Sequence, residues 1–445
     1  MLGIAGTTTI AGCSVSTGGE NGDGGTTETG GSGSSPTSPT ETGSGSAEMA
    51  SSASGWGWNI AARSLQLAAE TYNEENGTDI SVQEMGFDNW EQQFQTSVLS
   101  GSGGPDFSSV QNFDVAPYAD KGGLMDLTDR LEEANIADKV VDGKLSTISL
   151  DDSYYAIPWD IGPTGVFYNR SVYEEHDIDP NSISTWDQFI EEGKKLPDGV
   201  SMTNLPPQDI NLVWRMLFRQ LGGQPITESG AININSEKSV RVAQLLNDMS
   251  KAGITTQIEF FSAGWFTALQ EGTVASVASA VWLDGTLRAE LPDTAGNWGV
   301  YKLPAFEEGG SRASNRGGSN VAIPTTVSDD AVLERAYDFS LWAMTNPEIQ
   351  NQILQEYGIF PSLTAAYDAD FYDEGQEFYD GQAIFSLFTE VAENIKPYRY
   401  SPVTSAIDNT LVTELGNMLN GNKSPEDAIQ DAAETVAERT DRELA

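Results

Sequence analysis

Tryptophans beside aspartate or asparagine are the residues of this sequence whose types and spacing could do chemistry. Three such groups are Trp58-Asn59, Trp159-Asp160 and Trp282-Leu283-Asp284, each at the end of a strand-like segment. A sugar ring has a C–H face that stacks on a flat aromatic ring, and its hydroxyl rim pairs with carboxylates and amides. The groups therefore predict contacts with a carbohydrate, and Trp282 is the strongest candidate.

Asn112 and Asp114 form a further polar group. They follow residues 107–110, whose pattern is that of a buried strand. Polar side chains just after a strand lie at its carboxyl end, where open α/β sheets bind their ligands. We therefore expect both side chains to take part in the same site.

Few residues of this chain are suited to metal binding or to the common catalytic motifs. The chain has one histidine, His176, and one cysteine, Cys13, so a multi-histidine or multi-cysteine metal site is excluded. The sequence Glu-Glu-His-Asp around His176 predicts a surface position for it. Phosphate-loop, H-E-x-x-H and G-x-S-x-G motifs are absent, and we expect no cofactor and no metal.

The chain is strongly acidic. It has 66 acidic against 23 basic residues, a formal net charge of −43 over 445 residues. Such a charge excludes nucleic-acid binding through phosphate neutralisation and attachment to anionic lipid by charge. Only 10 of the basic residues are lysines. We interpret the acidity as adaptation to high salt, as in halophilic archaea, because salt screens the self-repulsion.

Alternating strands and helices are predicted to position these side chains. Residues 63–73 and 90–99 have helical spacing, and residues 80–85 and 107–110 have strand patterns. This β-α-β-α-β order predicts right-handed crossovers and a parallel sheet covered by helices. Thr185 with Gln188 predicts a capping box, and Asn346-Pro347 predicts a further helix start.

The first residues are typical of a lipoprotein. Residues 1–13 end in Ile10-Ala11-Gly12-Cys13, a lipobox pattern, although the short apolar run lacks a charged segment and predicts a truncated signal. Residues 14–53 are rich in Gly, Ser and Thr, the composition of a disordered tether. We expect lipidation of Cys13 to anchor the chain to a membrane.

Ordered sequence phrases from about residue 55 to 440 resemble a known family. They include YYAIP and FYNR within 154–170, LQEGTVA and AVW within 269–282, and GGSNVAIP at 317–324. Together they resemble the extracellular solute-binding proteins of ABC sugar importers, which include the maltose- and lactose-binding proteins. The resemblance implies an α/β, two-lobed periplasmic-binding-protein-like fold with a hinge and an interlobe ligand cleft.

The resemblance also implies how the chain divides. The N-terminal lobe would comprise residues 54–160 and 317–360, and the C-terminal lobe residues 161–316 and 361–445. The chain would cross between lobes near Asp160, Arg316 and Pro361.

Further site residues follow from the resemblance and from position. Trp282 matches the tryptophan that stacks on sugar in maltose-type members, and Gly318 and Ser319 would bring backbone close to a ligand. Arg399 and Tyr400 could close the cleft, and Trp265 could contribute from a loop.

The resemblance implies a lipid-anchored protein on the extracellular face of the cell membrane. It would capture a sugar or oligosaccharide, act as a monomer and deliver the ligand to an ABC permease with a cytoplasmic ATPase. No nucleic acid and no membrane contact except through the lipid are expected.

Two alternatives stay open. The first is a secreted carbohydrate-active enzyme, whose acid/base pair could hide among the many carboxylates. The second is a binding protein for a non-sugar solute such as glycerol phosphate, although phosphate favours a basic cleft.

The net charge of −43 predicts that stability depends on salt. Because salt shortens the range of repulsion between surface carboxylates, the thermal unfolding midpoint should rise from low salt to multimolar KCl. Calorimetry or circular dichroism across that series measures it. A midpoint that is flat or falls with KCl would contradict the halophilic interpretation.

Overall fold

The computed structural model describes residues 49–445. Cys13 and almost all of the predicted tether lie outside this part of the chain. The first strand begins at Ser52, and Ala53 is buried, so the tether predicted for residues 14–53 extends too far. The difference arises because the small side chains before Trp56 still pair as a strand.

The described chain contains twelve strands. They are β1 (Ser52–Trp58), β2 (Asp79–Met85), β3 (Phe107–Gln111), β4 (Ser149–Leu150), β5 (Ser153–Tyr154), β6 (Ile157–Pro158), β7 (Thr164–Asn169), β8 (Thr203–Asn204), β9 (Thr255–Thr256), β10 (Ser276–Ala280), β11 (Trp298–Lys302) and β12 (Ser319–Ala322).

The same residues form sixteen α-helices, none of them long and apolar enough to cross a membrane. They are α1 (Asn59–Asn76), α2 (Phe87–Ser100), α3 (Asn112–Asp120), α4 (Thr128–Glu133), α5 (Asp142–Leu145), α6 (Arg170–Glu175), α7 (Trp186–Gly193), α8 (Ile210–Gln220), α9 (Glu237–Lys251), α10 (Ala263–Gln270), α11 (Leu283–Glu290), α12 (Asp330–Thr345), α13 (Pro347–Tyr357), α14 (Ile384–Ala392), α15 (Thr404–Leu419) and α16 (Pro425–Thr440).

A five-stranded sheet forms the centre of the first hydrophobic core. Its strand order is β2-β1-β3-β12-β6, with β1 parallel to both β2 and β3 and with β12 antiparallel to β3 and β6. The predicted β-α-β-α-β unit is therefore confirmed. The carboxyl ends of β1, β2 and β3 lie at one edge, where α1, α2 and α3 begin.

The second core surrounds a three-stranded sheet in which β7 lies between β10 and β11, antiparallel to both. Every residue of β7 is buried, which explains its continuous apolar and small sequence. A short parallel pair, β8 and β9, extends this half of the molecule.

Three segments of the chain lead from one core to the other. Trp159 packs in the first core and Ile161 in the second; Ala313 packs in the second and Val321 in the first. Ile359 and Phe360, adjacent in sequence, pack in different cores. Isolated bridges pair Asp160 with Pro361 and Pro163 with Asn315, so the three crossover segments run side by side.

Both predicted helix starts are confirmed. Thr185 accepts from the Gln188 amide and Gln188 reaches back to the cap, which completes the capping box of α7. The Asn346 side chain accepts from the Glu348 and Ile349 amides, with Pro347 in the first turn of α13.

Candidate ligand-binding cleft

A buried lysine joins the crossover segments. Lys144 of α5 is fully buried, and its Nζ donates to Asn112 Oδ1 at 3.0 Å and to the carbonyls of Asp160 and Ser319 at 2.6 and 2.7 Å. An ammonium group carries three protons, and each has an acceptor here. Burial lowers the pKa of Lys144, and the charge of Asp160 counteracts this shift. We call these four residues the crossover network.

The network uses polar groups that the sequence assigned to a ligand. The Asn112 side chain also donates to the Gly317 carbonyl at 2.8 Å, and Asp160 Oδ1 accepts from the Ser319 amide at 2.5 Å. Burial raises the pKa of Asp160, and Lys144 counteracts this shift. The polar atoms of Asn112 and Asp160, both predicted to contact a ligand, therefore also position the backbone.

Gly318 has the same positioning role. Its φ is +104°, and a Cβ there would lie 2.5 Å from Asn112 Nδ2. Only glycine adopts this backbone next to the network without strain. Ser319 contributes its backbone amide and carbonyl to the crossover network.

Trp282 lies beside the second crossover, at the start of α11. Its Nε1 donates to the Arg316 carbonyl at 3.0 Å, and its ring is half-buried. The Arg316 guanidinium lies 5.5 Å from the Trp282 ring and 4.8 Å from the Phe260 ring. Phe261 completes what we call the aromatic cluster, with its ring 6.0 Å from that of Trp282.

Arg316 is the cation of the aromatic cluster. Its side chain is buried, and the one hydrogen bond it makes within residues 49–445 is a 3.5 Å contact from Nη1 to the Ala278 carbonyl. Burial lowers the pKa of Arg316 to about 10, and the nearby Asp209 counteracts this shift. The group therefore stays charged near neutral pH and has donors to offer.

Phe261 combines exposure with an unfavourable backbone. Its φ is +62°, a left-handed conformation that bulky residues rarely adopt, and half of its surface is exposed. The Trp265 ring packs against the Phe261 ring, with the two ring centroids 5.3 Å apart. Strained residues of this kind concentrate at ligand-binding sites. The arrangement leaves an aromatic surface open to solvent beside Trp282.

Asp114, in the first turn of α3, lies within electrostatic reach of Arg215 in α8 and Asp408 in α15. Its carboxyl is buried, and its Oδ2 has no hydrogen-bond partner within the described residues. Burial raises the pKa of Asp114 to about 7, Glu91 raises it further and Arg215 lowers it. The Arg215 guanidinium pairs with Asp408 and lies 5.6 Å from the rings of Phe113 and Tyr400.

Arg399 and Tyr400 lie in a different place from Trp282. They line a cavity of about 720 Å³ whose other walls include Asp120, residues 146–154 and residues 226–230. We call this cavity the seam pocket, because Tyr154 in its lining packs on the first core, whereas Ile226 and Tyr400 pack on the second. Arg399 is exposed and lies 3.7 Å from Glu228.

Trp58 and Asn59 are neighbours in sequence, but Trp58 is buried and Asn59 is exposed. The Trp58 ring is buried against Phe87 and Trp90, with ring centroids 5.6 and 4.5 Å away. This packing favours a core role for Trp58 over its predicted role as a sugar platform. Asn59, which begins α1, is exposed with a φ of +39° and stays a predicted contact.

Three other predicted contacts have side chains buried in a core, which favours a packing role for them. Trp159 and Trp265 are each 1% exposed, and Trp265 lies in α10 rather than in a loop. Asp284 lies in α11, 2% exposed, and pairs with Arg288 at 2.8 Å one turn later. A tryptophan or aspartate beside a strand end can thus serve packing alone.

The sequence did not predict Phe261, Lys144 or Arg215 as site residues. Phe261 had a signal, since the doublet Phe260-Phe261 follows β9 at its carboxyl end. Lys144 and Arg215 had none, because a charged residue on a short helix is usually a solvated one.

A comparison with protein families matches residues 68–379 to the model described as bacterial extracellular solute-binding protein. Among curated relatives, the arabinooligosaccharide-binding protein of Halalkalibacterium halodurans is 27% identical over 397 residues, 86% of this chain and 84% of that protein. The lactose-binding protein of Rhizobium radiobacter is 28% identical over 397 residues, 86% of this chain and 91% of that protein.

The fold is shared with solved structures. An ABC-transporter-associated binding protein from B. animalis subsp. lactis, in complex with β-1,6-galactobiose, superposes with a TM-score of 0.74 at 23% identity. The match covers 88% of this chain and 98% of that one. The predicted fold, α/β with two lobes, is thereby confirmed.

The left-handed backbone of Phe261 yields a test of strain. Both Phe261→Gly and Phe261→Ala remove the ring, but only glycine accepts a φ of +62° without strain. The glycine variant should exceed the alanine variant by roughly 1 kcal/mol in free energy of unfolding. Chemical denaturation of both variants measures the difference.

Phe266, inside α10, provides the matched control. There the order should reverse, because glycine is less favourable than alanine in a helix by about 1 kcal/mol. If the alanine variant were the more stable one at both positions, Phe261 would be unstrained.

Proposed function

Because the chain belongs to the family of bacterial extracellular solute-binding proteins, we propose that it captures a sugar or oligosaccharide between its two lobes and delivers it to an ABC permease. The relatives that support this proposal are named as binding proteins for arabinooligosaccharides and lactose. The protein itself would carry out no chemistry on the ligand.

The observation that carries the proposal is the aromatic cluster beside the second crossover. Trp282 and the exposed Phe261 offer apolar faces, and Arg316 offers donors next to them. Apolar faces with charged hydrogen-bonding groups at their edge match the two surfaces of a sugar ring. We assign the primary sugar site to this cluster, together with Asn59 and Asp114.

We propose that the crossover segments act as the hinge. The lobes would be residues 54–160 with 317–360 and residues 161–316 with 361–445. The change of core at each crossover supports this division. Closure of two lobes around a ligand would bring Asp114 of one lobe to Arg215 of the other.

A neutral sugar fits the electrostatics better than a phosphate ester does. Arg215 and Arg316 each have a carboxylate nearby, Asp408 and Asp209 respectively. Glu91 adds further negative charge near Asp114. A phosphate would have to approach these carboxylates, whereas a hydroxyl can donate to them.

Substitution of Trp282 tests the sugar site. Trp282→Ala removes a stacking surface, so the affinity for the best of a panel of arabino-oligosaccharides, lactose and maltose should fall roughly ten- to a hundredfold. Isothermal titration calorimetry measures the affinity. Recovery of the sugar intact after incubation separates binding from hydrolysis.

Trp298 of the same lobe is the control, since its ring is 1% exposed. Trp298→Ala should cost roughly 3–5 kcal/mol of stability, whereas Trp282→Ala should melt close to the wild type. Unchanged affinity together with a large loss of stability in Trp282→Ala would make Trp282 a core residue and overturn the assignment.

We propose that Cys13 carries a lipid that anchors the protein to the outer face of the membrane. The lipobox-like residues 10–13 and the Gly/Ser/Thr-rich segment after them support this proposal. The permease and its ATPase would then receive the ligand at that surface.

Detergent phase partitioning tests the anchor. The full-length protein, expressed in a salt-adapted host, should enter the detergent phase, and the Cys13→Ser variant should stay in the aqueous phase. Equal partitioning of the two proteins would show that Cys13 bears no lipid.

A further inference from the structure

We propose that Asp114 takes up one proton from solvent when the two lobes close, so that the affinity for sugar falls as the pH rises through neutrality. This inference rests on the proposed function, because it uses the closure of the lobes around a sugar. It adds a regulation of that closure by pH and assigns the regulation to one buried carboxyl group.

Helix α3, which carries Asp114, lies between the two hydrophobic cores. Val115 and Tyr118 on this helix belong to the first core. Ala116 belongs to the second core, and Phe113 packs against it. Asp114 itself is 8% exposed, so its carboxyl group lies within the contact between the two halves of the molecule. Separation of the lobes would expose this contact, and therefore the carboxyl group, to water.

Burial is the main reason why the pKa of Asp114 is raised, and charged groups from three other helices act on it as well. Glu91 of α2 raises the pKa further, Arg215 of α8 lowers it and Asp408 of α15 raises it. The Arg215 guanidinium forms an ion pair with Asp408, so its charge is already compensated. Tyr118, on the same helix as Asp114, stays protonated near neutral pH, because burial raises the pKa of its hydroxyl.

The carboxyl group of Asp114 lacks the donors that would hold it ionised. Its Oδ2 is buried and has no hydrogen-bond partner within residues 49–445. A buried carboxylate without donors is unfavourable, and a bound proton removes the charge. Burial raises the pKa of Asp114 from 3.8 to about 7, so the group exchanges its proton close to neutral pH.

The direction of the pH dependence follows from the two environments of Asp114. With the lobes closed, the carboxyl group is buried and its pKa is about 7. With the lobes apart it would lie in water, where the pKa of an aspartate is about 4. Closure therefore takes up a proton between these two values, and each pH unit in that range weakens closure by up to about tenfold. The favourable effect on closure is complete below the lower value and is lost above the higher one.

The experiment measures the affinity for the tightest-binding sugar of the same panel from about pH 5 to about pH 8, by isothermal titration calorimetry at one high KCl concentration. Titrations in buffers of different ionisation enthalpy give the number of protons taken up with the sugar. The test variant is Asp114→Asn, which keeps the shape of the side chain but does not titrate. The matched control is Asp120→Asn, an exposed aspartate at the other end of α3.

The affinity of the wild type should fall roughly ten- to a hundredfold between about pH 5 and about pH 8, with uptake of about one proton per sugar at about pH 6. Asp120→Asn should show the same fall. Asp114→Asn should bind with an affinity independent of pH and take up no proton. A wild-type affinity that is flat across this range, or a fall that persists in Asp114→Asn, would overturn the inference and leave the sugar site intact.

Glu91→Gln tests the same carboxyl group without a change inside the contact between the lobes, because Glu91 is exposed on α2. Loss of this negative charge should lower the pKa of Asp114, so the fall in affinity should begin at a lower pH than in the wild type. An unchanged pH profile would contradict the assignment of the titration to Asp114. Failure of every sugar to bind at any pH would overturn the proposed function and this inference with it.

Discussion

The buried ammonium of Lys144 is the interaction on which the rest of this structure depends. An ammonium ion removed from water is strongly destabilising unless each of its protons has an acceptor, and here α3 and two crossover segments supply them. Those acceptors come from Asn112, Asp160 and Ser319. The lysine therefore fixes where α3 begins relative to the second crossover, and hence where Asp114 and Trp282 lie on the two sides of the gap.

The charges inside the gap contrast with those of the surface. The chain carries a net charge of −43, yet Arg215 and Arg316 are buried with aromatic rings against their guanidinium groups. Arginine suits this role, because its delocalised charge is weakly hydrated and stacks on rings. A gap that holds both signs of charge, each with unused hydrogen-bonding capacity, favours a neutral ligand rich in hydroxyls.

The sequence predicted the strands and helices around the site better than the residues that line it. The order of strands and helices, the capping box at Thr185 and the position of Trp282 after β10 follow from local periodicity and cap chemistry. Trp159 and Trp265 had the same local features as Trp282, yet both are core residues. A local pattern places a residue at a strand end but does not tell which side of the strand end faces the gap.

The sequence by itself determined the fold class, the alternation that builds the parallel strands, and the acidity. The tertiary structure alone decided which charged groups became buried and which aromatic ring stayed open. Lys144 and Ser319 are 175 positions apart. Phe261 has a left-handed backbone, and its exposed ring lies 6.0 Å from that of Trp282. Such contacts form because the chain crosses between two cores. Sequence periodicity does not predict them, because it reflects only residues that are close along the chain.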